Sequence, residues 1–114
     1  MSSPLTTHVL DTALGRPAAE LLITLERLEA NGEWFEVSQG KTNEDGRLRD
    51  LLPAGGLEAK TYRLVFYCGE YFGRLGQKTF YPFVPVVFEV SATTEHHHVP
   101  LLISPFGYST YRGS

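Results

Sequence analysis

Apolar and polar residues alternate with a period of two along most of this chain. In residues 5–11, LTTHVLD, the side chains of Thr7 and Val9 fall on one face of an extended segment, and His8 falls on the other. The same alternation predicts that Val99 and Ile103 share a face in a later strand. A period of two is typical of β-strands with one buried face.

A turn signal in the first third of the chain predicts a β-hairpin. Residues 20–30 and 33–42 are both rich in strand-forming residues, and Asn31-Gly32 lies between them. Asn-Gly suits the tight turn of a two-stranded hairpin. Residues 20–30 also carry apolar side chains at helical spacing, but the Asn-Gly turn and the strand-like segment after it favour a strand.

The rest of the chain adds further short strands and little helix. Gly15 with Pro17, and Asp45 with Gly46, mark turns, and EYFGRLGQ (70–77) is the one short helix predicted. Seven or eight short strands at regular spacing indicate an all-β sandwich. The remaining predicted strands are residues 60–69, 83–91, 95–104 and 106–113.

The alternation predicts an unusual outer surface. If Val99, Leu101 and Ile103 face the core, then His98 shares the outer face with Pro100 and other apolar residues. An outer face of this kind indicates that a partner covers it, most simply a second copy of the chain.

Composition limits the class of protein. The chain has 114 residues, is 42% hydrophobic and has a formal net charge of -3. We expect one domain, 1–114, with no nucleic-acid partner, because phosphate binding favours a basic face. No apolar run approaches a membrane span, the N-terminus has no signal-peptide pattern, and the single cysteine, Cys68, is expected in the core.

His98 is the main candidate for chemistry. An isolated histidine is usually a surface or interface residue, but imidazole also serves as a general base near neutral pH, and a nearby arginine would keep it neutral. The spacing of His96 and His98 also fits metal ligation, with His8 as a third ligand, so zinc hydrolysis is an alternative. No G-x-S-x-G motif supports a serine nucleophile.

Three segments carry a resemblance to a known family. LTTHVLDTALGRPA near the start, TNEDGR in the middle and HVPLLISPFGYSTYRGS at the end closely resemble 5-hydroxyisourate hydrolase, the transthyretin-related enzyme of urate breakdown. The resemblance covers essentially the whole chain. The terminal Tyr-Arg-Gly-Ser is its most specific part, because transthyretin continues differently at this point.

The resemblance implies a role for each matching residue. It implies catalytic roles for His8, Arg47 and His98, and substrate binding by His8, Arg47, Tyr111 and Ser114. The reaction it implies is hydrolytic opening of the six-membered ring of 5-hydroxyisourate. His96 is expected to have a supporting role, and His97 occupies a position at which the family tolerates other residues.

The resemblance also implies an architecture and a setting. It implies a transthyretin-like sandwich of two four-stranded sheets with one short helix, assembled as a homotetramer with its active sites between subunits. No metal or organic cofactor is required by this scheme. We expect a cytoplasmic protein, with the peroxisome as the alternative compartment. The competing function is a transthyretin-like carrier that binds a small ligand without catalysis.

Overall fold

Two antiparallel-rich β-sheets and one short helix make up the protein. The computed structural model describes residues 3–114. The first sheet has the strand order β2-β1-β8-β9, with β5 also paired to β1, and the second has the order β4-β3-β6-β7. The strands are β1 Leu5–Asp11, β2 Arg16–Pro17, β3 Leu22–Leu28, β4 Trp34–Lys41, β5 Arg47–Leu48, β6 Thr61–Phe66, β7 Val84–Glu89, β8 His97–Ser104 and β9 Gly107–Thr110, and the helix is α1 Cys68–Arg74.

The predicted all-β sandwich with one short helix is confirmed, and one detail differs. The first sheet has five strands rather than four, because two short segments pair with β1. One precedes β3 in the sequence, and the other follows β4. Both added strands, β2 and β5, are only two residues long. Strand β5 places Arg47 opposite His8.

The predicted hairpin over residues 20–42 is formed. Strands β3 and β4 are antiparallel, with Leu28 opposite Trp34, and the helical alternative for this segment is wrong. Gly32 has φ of 85°, a left-handed conformation that glycine adopts without steric cost. The turn residues therefore decided between strand and helix where the apolar spacing alone could not.

The two faces of β1 follow the alternation in the sequence, as do those of β8 except that Pro100, expected on the outer face, is buried. Along β1, every second residue is buried, and the residues between them are half-buried. Along β8, Val99, Leu101 and Ile103 are buried, as predicted. The core lies between the two sheets, and its largest fully buried side chains include Tyr62, Phe66 and Phe72.

The helix begins earlier than predicted and includes Cys68. The predicted strand 60–69 ends at Phe66, and α1 then runs from Cys68 to Arg74. Gly69 permits this change of direction, since a Cβ atom there would lie 2.6 Å from the carbonyl oxygen of Pro82. Cys68 is buried, as expected, and burial raises the pKa of its thiol to about 12.

Two further expectations concern the ends of the chain and the membrane. Residues 1 and 2, which begin the segment without a signal-peptide pattern, lie outside the described residues. Within residues 3–114, the helix found is too short to cross a membrane.

Candidate active site

Strand pairing brings three predicted site residues onto one surface. β1 runs parallel to β8, with Thr6 beside His98 and His8 beside Pro100. On its other side β1 pairs with β5, where His8 lies opposite Arg47. Paired residues project from the same face of a sheet. His8, Arg47 and His98 therefore share the outer face of the first sheet.

The Asn43 turn fixes the position of Arg47. The side-chain oxygen of Asn43 accepts hydrogen bonds from the backbone N–H groups of Asp45, at 2.9 Å, and Arg47, at 3.0 Å. Gly46 has φ of 74°, and a Cβ atom there would lie 2.4 Å from the carbonyl oxygen of Val9. The turn thus requires glycine at this position, and it places Arg47 in the pairing with β1.

His8 is held by the same turn. Its Nε2 lies 2.9 Å from the backbone carbonyl oxygen of Asp45. A carbonyl oxygen only accepts hydrogen bonds, so Nε2 of His8 carries the proton and donates it. The neutral ring consequently has its lone pair on Nδ1.

Thr6 connects the other two histidines of this face. Its hydroxyl oxygen lies 2.8 Å from Nδ1 of His98 and 2.8 Å from Nε2 of His96. The two imidazole rings are near-parallel, with centroids 6.5 Å apart and planes inclined by 24°. His98 is thereby held through Nδ1, while no hydrogen bond within residues 3–114 engages its Nε2.

Burial and charge keep both candidate bases neutral. Partial burial lowers the pKa of His98, and the positive charge of Arg47 lowers it further, with smaller effects of His96 and His8. Burial also lowers the pKa of His8, again with Arg47 as the next cause. Both imidazoles are half-buried, so solvent screens the charge of Arg47 only in part.

The C-terminal segment packs against His98. The backbone N–H of Gly113 donates to the carbonyl oxygen of His98 at 2.8 Å, and the two residues form a β-bridge. A Cβ atom at position 113 would lie 2.5 Å from Cδ2 of His98 and 3.2 Å from Cγ of Pro100. Glycine therefore allows the chain to lie directly against the imidazole ring.

The terminal segment keeps the register of β9. Thr110 pairs with Leu101 and Gly113 pairs with His98, so Tyr111 lies alongside Pro100, in the same row as His8 and Arg47. The predicted strand 106–113 is shorter than expected and ends at Thr110. Tyr111 has 59% of its surface exposed, and Ser114 is also exposed.

A groove runs along the edge of the sandwich and meets the histidine face at His98. It has a volume of about 230 Å³ and lies between β7 and the C-terminal segment. His98 and Tyr111 line it, together with Val86, Phe88 and Arg112, but His8 and Arg47 do not. The four predicted groups thus lie on adjoining surfaces of one chain, rather than within one closed cleft.

The zinc site considered from the sequence is not formed. Within residues 3–114, no three His, Cys, Asp or Glu side chains are arranged to hold a metal ion. His96 and His98 both direct a ring nitrogen at the hydroxyl of Thr6 instead. His97 is buried, and its Nδ1 lies 3.0 Å from the carbonyl oxygen of Glu95.

Two participants were not found by reasoning from the sequence. The only indication of Thr6 in the sequence is that it shares a strand face with His8. Its hydrogen bonds are to histidines about ninety positions away. The contact of Asp45 is made by its backbone carbonyl, so the identity of its side chain does not indicate it. Both depend on strand register, which a single sequence does not reveal.

Comparison with known proteins identifies the family. The model described as "HIUase/Transthyretin family" matches residues 5–113. The chain is 51% identical to the 5-hydroxyisourate hydrolase of Mus musculus, over 99% of this chain and 97% of that protein. It is 46% identical to the 5-hydroxyisourate hydrolase of Halalkalibacterium halodurans, over 100% of both chains.

The fold resembles that of solved transthyretins. The crystal structure of sea bream transthyretin in complex with thyroxine superimposes with a TM-score of 0.92 at 28% identity, over 97% of this chain and 95% of that chain. The family model and the two 5-hydroxyisourate hydrolases match nearly the whole of this chain. The chain belongs to the HIUase/Transthyretin family.

Proposed function

We propose that this protein hydrolyses 5-hydroxyisourate to 2-oxo-4-hydroxy-4-carboxy-5-ureidoimidazoline. The observation that carries the proposal is the convergence of His8, Arg47 and His98 on one sheet face, with both imidazoles biased towards their neutral, proton-accepting form. The relatives named 5-hydroxyisourate hydrolase, at up to 51% identity over nearly the whole chain, support this substrate. Residues 1–114 would form a single hydrolase domain.

In the proposed reaction, His98 activates the attacking water. Nε2 of His98 accepts a proton from water as the water oxygen bonds to C6 of the substrate, the carbonyl carbon of the N1–C6 amide. The electrons of the carbonyl move onto its oxygen, which becomes an oxyanion. Collapse of this intermediate breaks the C6–N1 bond, and the proton on His98 passes to the departing N1.

Arg47 and His8 stabilise the charge that develops on the substrate. Among charged groups, Arg47 lowers the pKa of both histidines most, and in this proposal its guanidinium pairs with the oxyanion. His8 lies next to Arg47 and presents Nδ1 as an acceptor, so it orients the substrate or the water. Tyr111 and Ser114 bind the edge of the heterocycle from the C-terminal segment.

The complete site requires a second copy of the chain in this proposal. In one subunit His8 and His98 are only half-buried, and Tyr111 remains exposed among residues 3–114. In a homotetramer of the transthyretin type, the equivalent face of a sister subunit would cover it and exclude water. Exclusion of water strengthens the attraction between Arg47 and the oxyanion.

A non-catalytic carrier of small ligands has less support. The sea bream transthyretin that binds thyroxine is 28% identical to this chain, compared with 51% for the mouse hydrolase. The sheet face also carries two imidazoles and a guanidinium, which suit a polar and reactive ligand. No metal or organic cofactor takes part in the proposed reaction.

The deciding experiment measures loss of freshly generated 5-hydroxyisourate against its spontaneous decay. The enzyme accelerates the loss, and a carrier or an assembly module leaves the rate at the spontaneous level. Analytical ultracentrifugation of the same sample tests the tetramer. We place the reaction in the cytoplasm because a single unpaired thiol suits a reducing compartment, and recovery of the protein in a peroxisomal fraction would change that assignment.

A further inference from the structure

The hydroxyl of Thr6 has one proton but two imidazole partners. It lies 2.8 Å from Nδ1 of His98 and 2.8 Å from Nε2 of His96. A hydroxyl donates one hydrogen bond and accepts others. With both rings neutral and the Thr6 proton directed at one of them, Thr6 donates to that histidine and accepts from the other, so the two tautomers are coupled.

Besides an arrangement in which Thr6 accepts from both rings and its own proton has no imidazole partner, two arrangements satisfy both contacts. In the first, Nδ1–H of His98 donates to Thr6, and the Thr6 hydroxyl donates to Nε2 of His96. In the second, every donor and acceptor is reversed, so the proton of His98 lies on Nε2. The first arrangement leaves a lone pair on Nε2 of His98, and the second leaves none there.

Catalysis selects between the two arrangements. Once His98 has taken a proton, both ring nitrogens carry hydrogen, and Nδ1–H can still donate to Thr6. The first arrangement therefore serves the neutral and the protonated ring without rotation of the Thr6 hydroxyl. The second would require the hydroxyl to turn away, and its free Nε2–H could not accept a proton from water.

From these contacts, and resting on the proposed function, we propose that Thr6 and His96 are positioning residues that set the tautomer of His98. Thr6 accepts from Nδ1–H of His98 and donates to His96, which keeps the lone pair of His98 on the outward nitrogen, Nε2. His96 serves as the acceptor that fixes the direction of the Thr6 hydroxyl. Neither residue needs to touch the substrate.

The position of Thr6 supports a directional role rather than a packing role. Thr6 is half-buried on the outer face of β1, directly beside His98 in the parallel pairing. Its neighbour Thr7 is buried on the opposite face, where its hydroxyl donates to the carbonyl oxygen of Val99 at 2.6 Å. Two adjacent threonines therefore make hydrogen bonds to β8 on opposite faces, and only Thr6 contacts imidazoles.

NMR of the isotope-labelled protein, at a pH where His98 is neutral, tests the tautomer directly. Long-range correlations between ring protons and ring nitrogens distinguish a protonated nitrogen from one with a lone pair. We expect Nδ1 of His98 to be protonated in the wild type, and Thr6→Val to shift the proton towards Nε2. A wild-type His98 with its proton on Nε2, or a tautomer unaffected by Thr6→Val, would overturn the proposal.

Kinetics provide the second readout, with Thr6→Ser as the conservative variant. Loss of an outer hydrogen bond that orients a reactive histidine is expected to lower kcat about 10- to 100-fold in Thr6→Val, with KM changed much less. Thr6→Ser keeps the hydroxyl and should stay within about threefold of the wild-type kcat. Equal kcat values for Thr6→Val and wild type would refute the assigned role.

His96 is tested by a pair of substitutions. His96→Gln retains an oxygen that can accept from Thr6 and should preserve most of kcat, whereas His96→Leu removes the acceptor and should reproduce the defect of Thr6→Val. If His96→Leu has wild-type kcat and an unchanged His98 tautomer, the part assigned to His96 is wrong.

Thr7→Val is the matched structural control. It deletes a hydroxyl that bonds the same neighbouring strand, so it should lower the melting temperature while leaving kcat and the tautomer unchanged. A Thr7→Val variant that lost kcat as Thr6→Val does would show that strand damage explains both, and would overturn the proposal.

This test separates the inference from the proposed function. Failure of the wild type to accelerate loss of 5-hydroxyisourate would remove the function, whereas the NMR measurement needs no turnover. An active wild type with an equally active Thr6→Val variant would keep the function and remove the inference.

Discussion

Gly113 provides the sharpest prediction because its neighbour is the proposed base. Substitution by alanine places a Cβ atom 2.5 Å from Cδ2 of His98, against the 3.4 Å at which ordinary contacts begin. Either the ring or the terminal segment must move by about 0.9 Å to restore that contact. Cδ2 is bonded to Nε2, so movement of the ring displaces the nitrogen that accepts the proton.

The expected effect on rate follows from this displacement. A misplacement of about 1 Å at a reacting group can cost about 10²-fold in rate, so Gly113→Ala should lower kcat for 5-hydroxyisourate by about that factor. If the terminal segment moves instead, the bond from Gly113 N–H to His98 weakens, and Tyr111 and Ser114 lose their positions. Substrate binding would then weaken as well, and KM would rise.

Steady-state kinetics and two alanine controls decide the outcome. Gly107→Ala lies in β9, and its Cβ atom would meet Ser104 Oγ at an ordinary 3.6 Å, so its kcat should equal that of the wild type. Gly73→Ala lies in α1 with open space around it and should raise the free energy of unfolding by about 0.5–1 kcal/mol. If Gly113→Ala keeps kcat/KM within about threefold of wild type, close packing on His98 does not position the base.

Four further predictions concern the site and its support. Arg47→Ala should lower kcat by about 10²–10³-fold and His98→Ala by about 10²–10⁴-fold, with the sedimentation coefficient unchanged; near wild-type turnover in either variant would remove its assigned role. The pKa of His98 is lowered from 6.5, so the neutral base is present above that pKa, and kcat/KM should fall only as the pH drops below 6.5. In Arg47→Ala the pKa of His98, followed by NMR, should rise, because the substitution removes the charge that lowers it most; an unchanged pKa would contradict this account. Tyr71→Phe removes the 2.9 Å hydrogen bond to the buried carboxylate of Asp11, so urea denaturation should show a loss of about 1.5–3 kcal/mol, whereas an unchanged midpoint would show that this bond does not stabilise the fold.

The sequence predicted the directions of side chains better than their neighbours. Alternation along β1 and β8 placed His8 and His98 on outer faces, because backbone geometry alone makes successive side chains point to opposite sides. The Asn31-Gly32 turn likewise identified the hairpin, since few residues adopt its left-handed conformation. These are local properties, and a single sequence contains them.

Contacts between distant segments were not predictable in the same way. The pairing of His8 with Arg47 depends on a two-residue strand with too little pattern to detect, and the Thr6 contacts depend on the register between β1 and β8. The resemblance singles out the terminal Tyr-Arg-Gly-Ser, but nothing in the sequence indicates that the imidazole of His98 lies against Gly113. Register is set by the packing of the whole sandwich, so it could not be obtained from alternation within one strand.

The hydrogen bonds of His8 and His98 leave a different ring nitrogen free to accept a proton in each. The Asp45 carbonyl takes Nε2–H of His8 and leaves Nδ1 as its acceptor, whereas Thr6 engages Nδ1 of His98 and leaves Nε2 outward. Arg47 disfavours protonation of both rings, and in the proposed reaction the same positive charge attracts the oxyanion formed after attack. Transfer of a proton to His98 would be unfavourable beside Arg47 if no negative charge formed with it. The oxyanion provides that charge at the same step, so the guanidinium that keeps the base neutral before reaction also balances the charges during it.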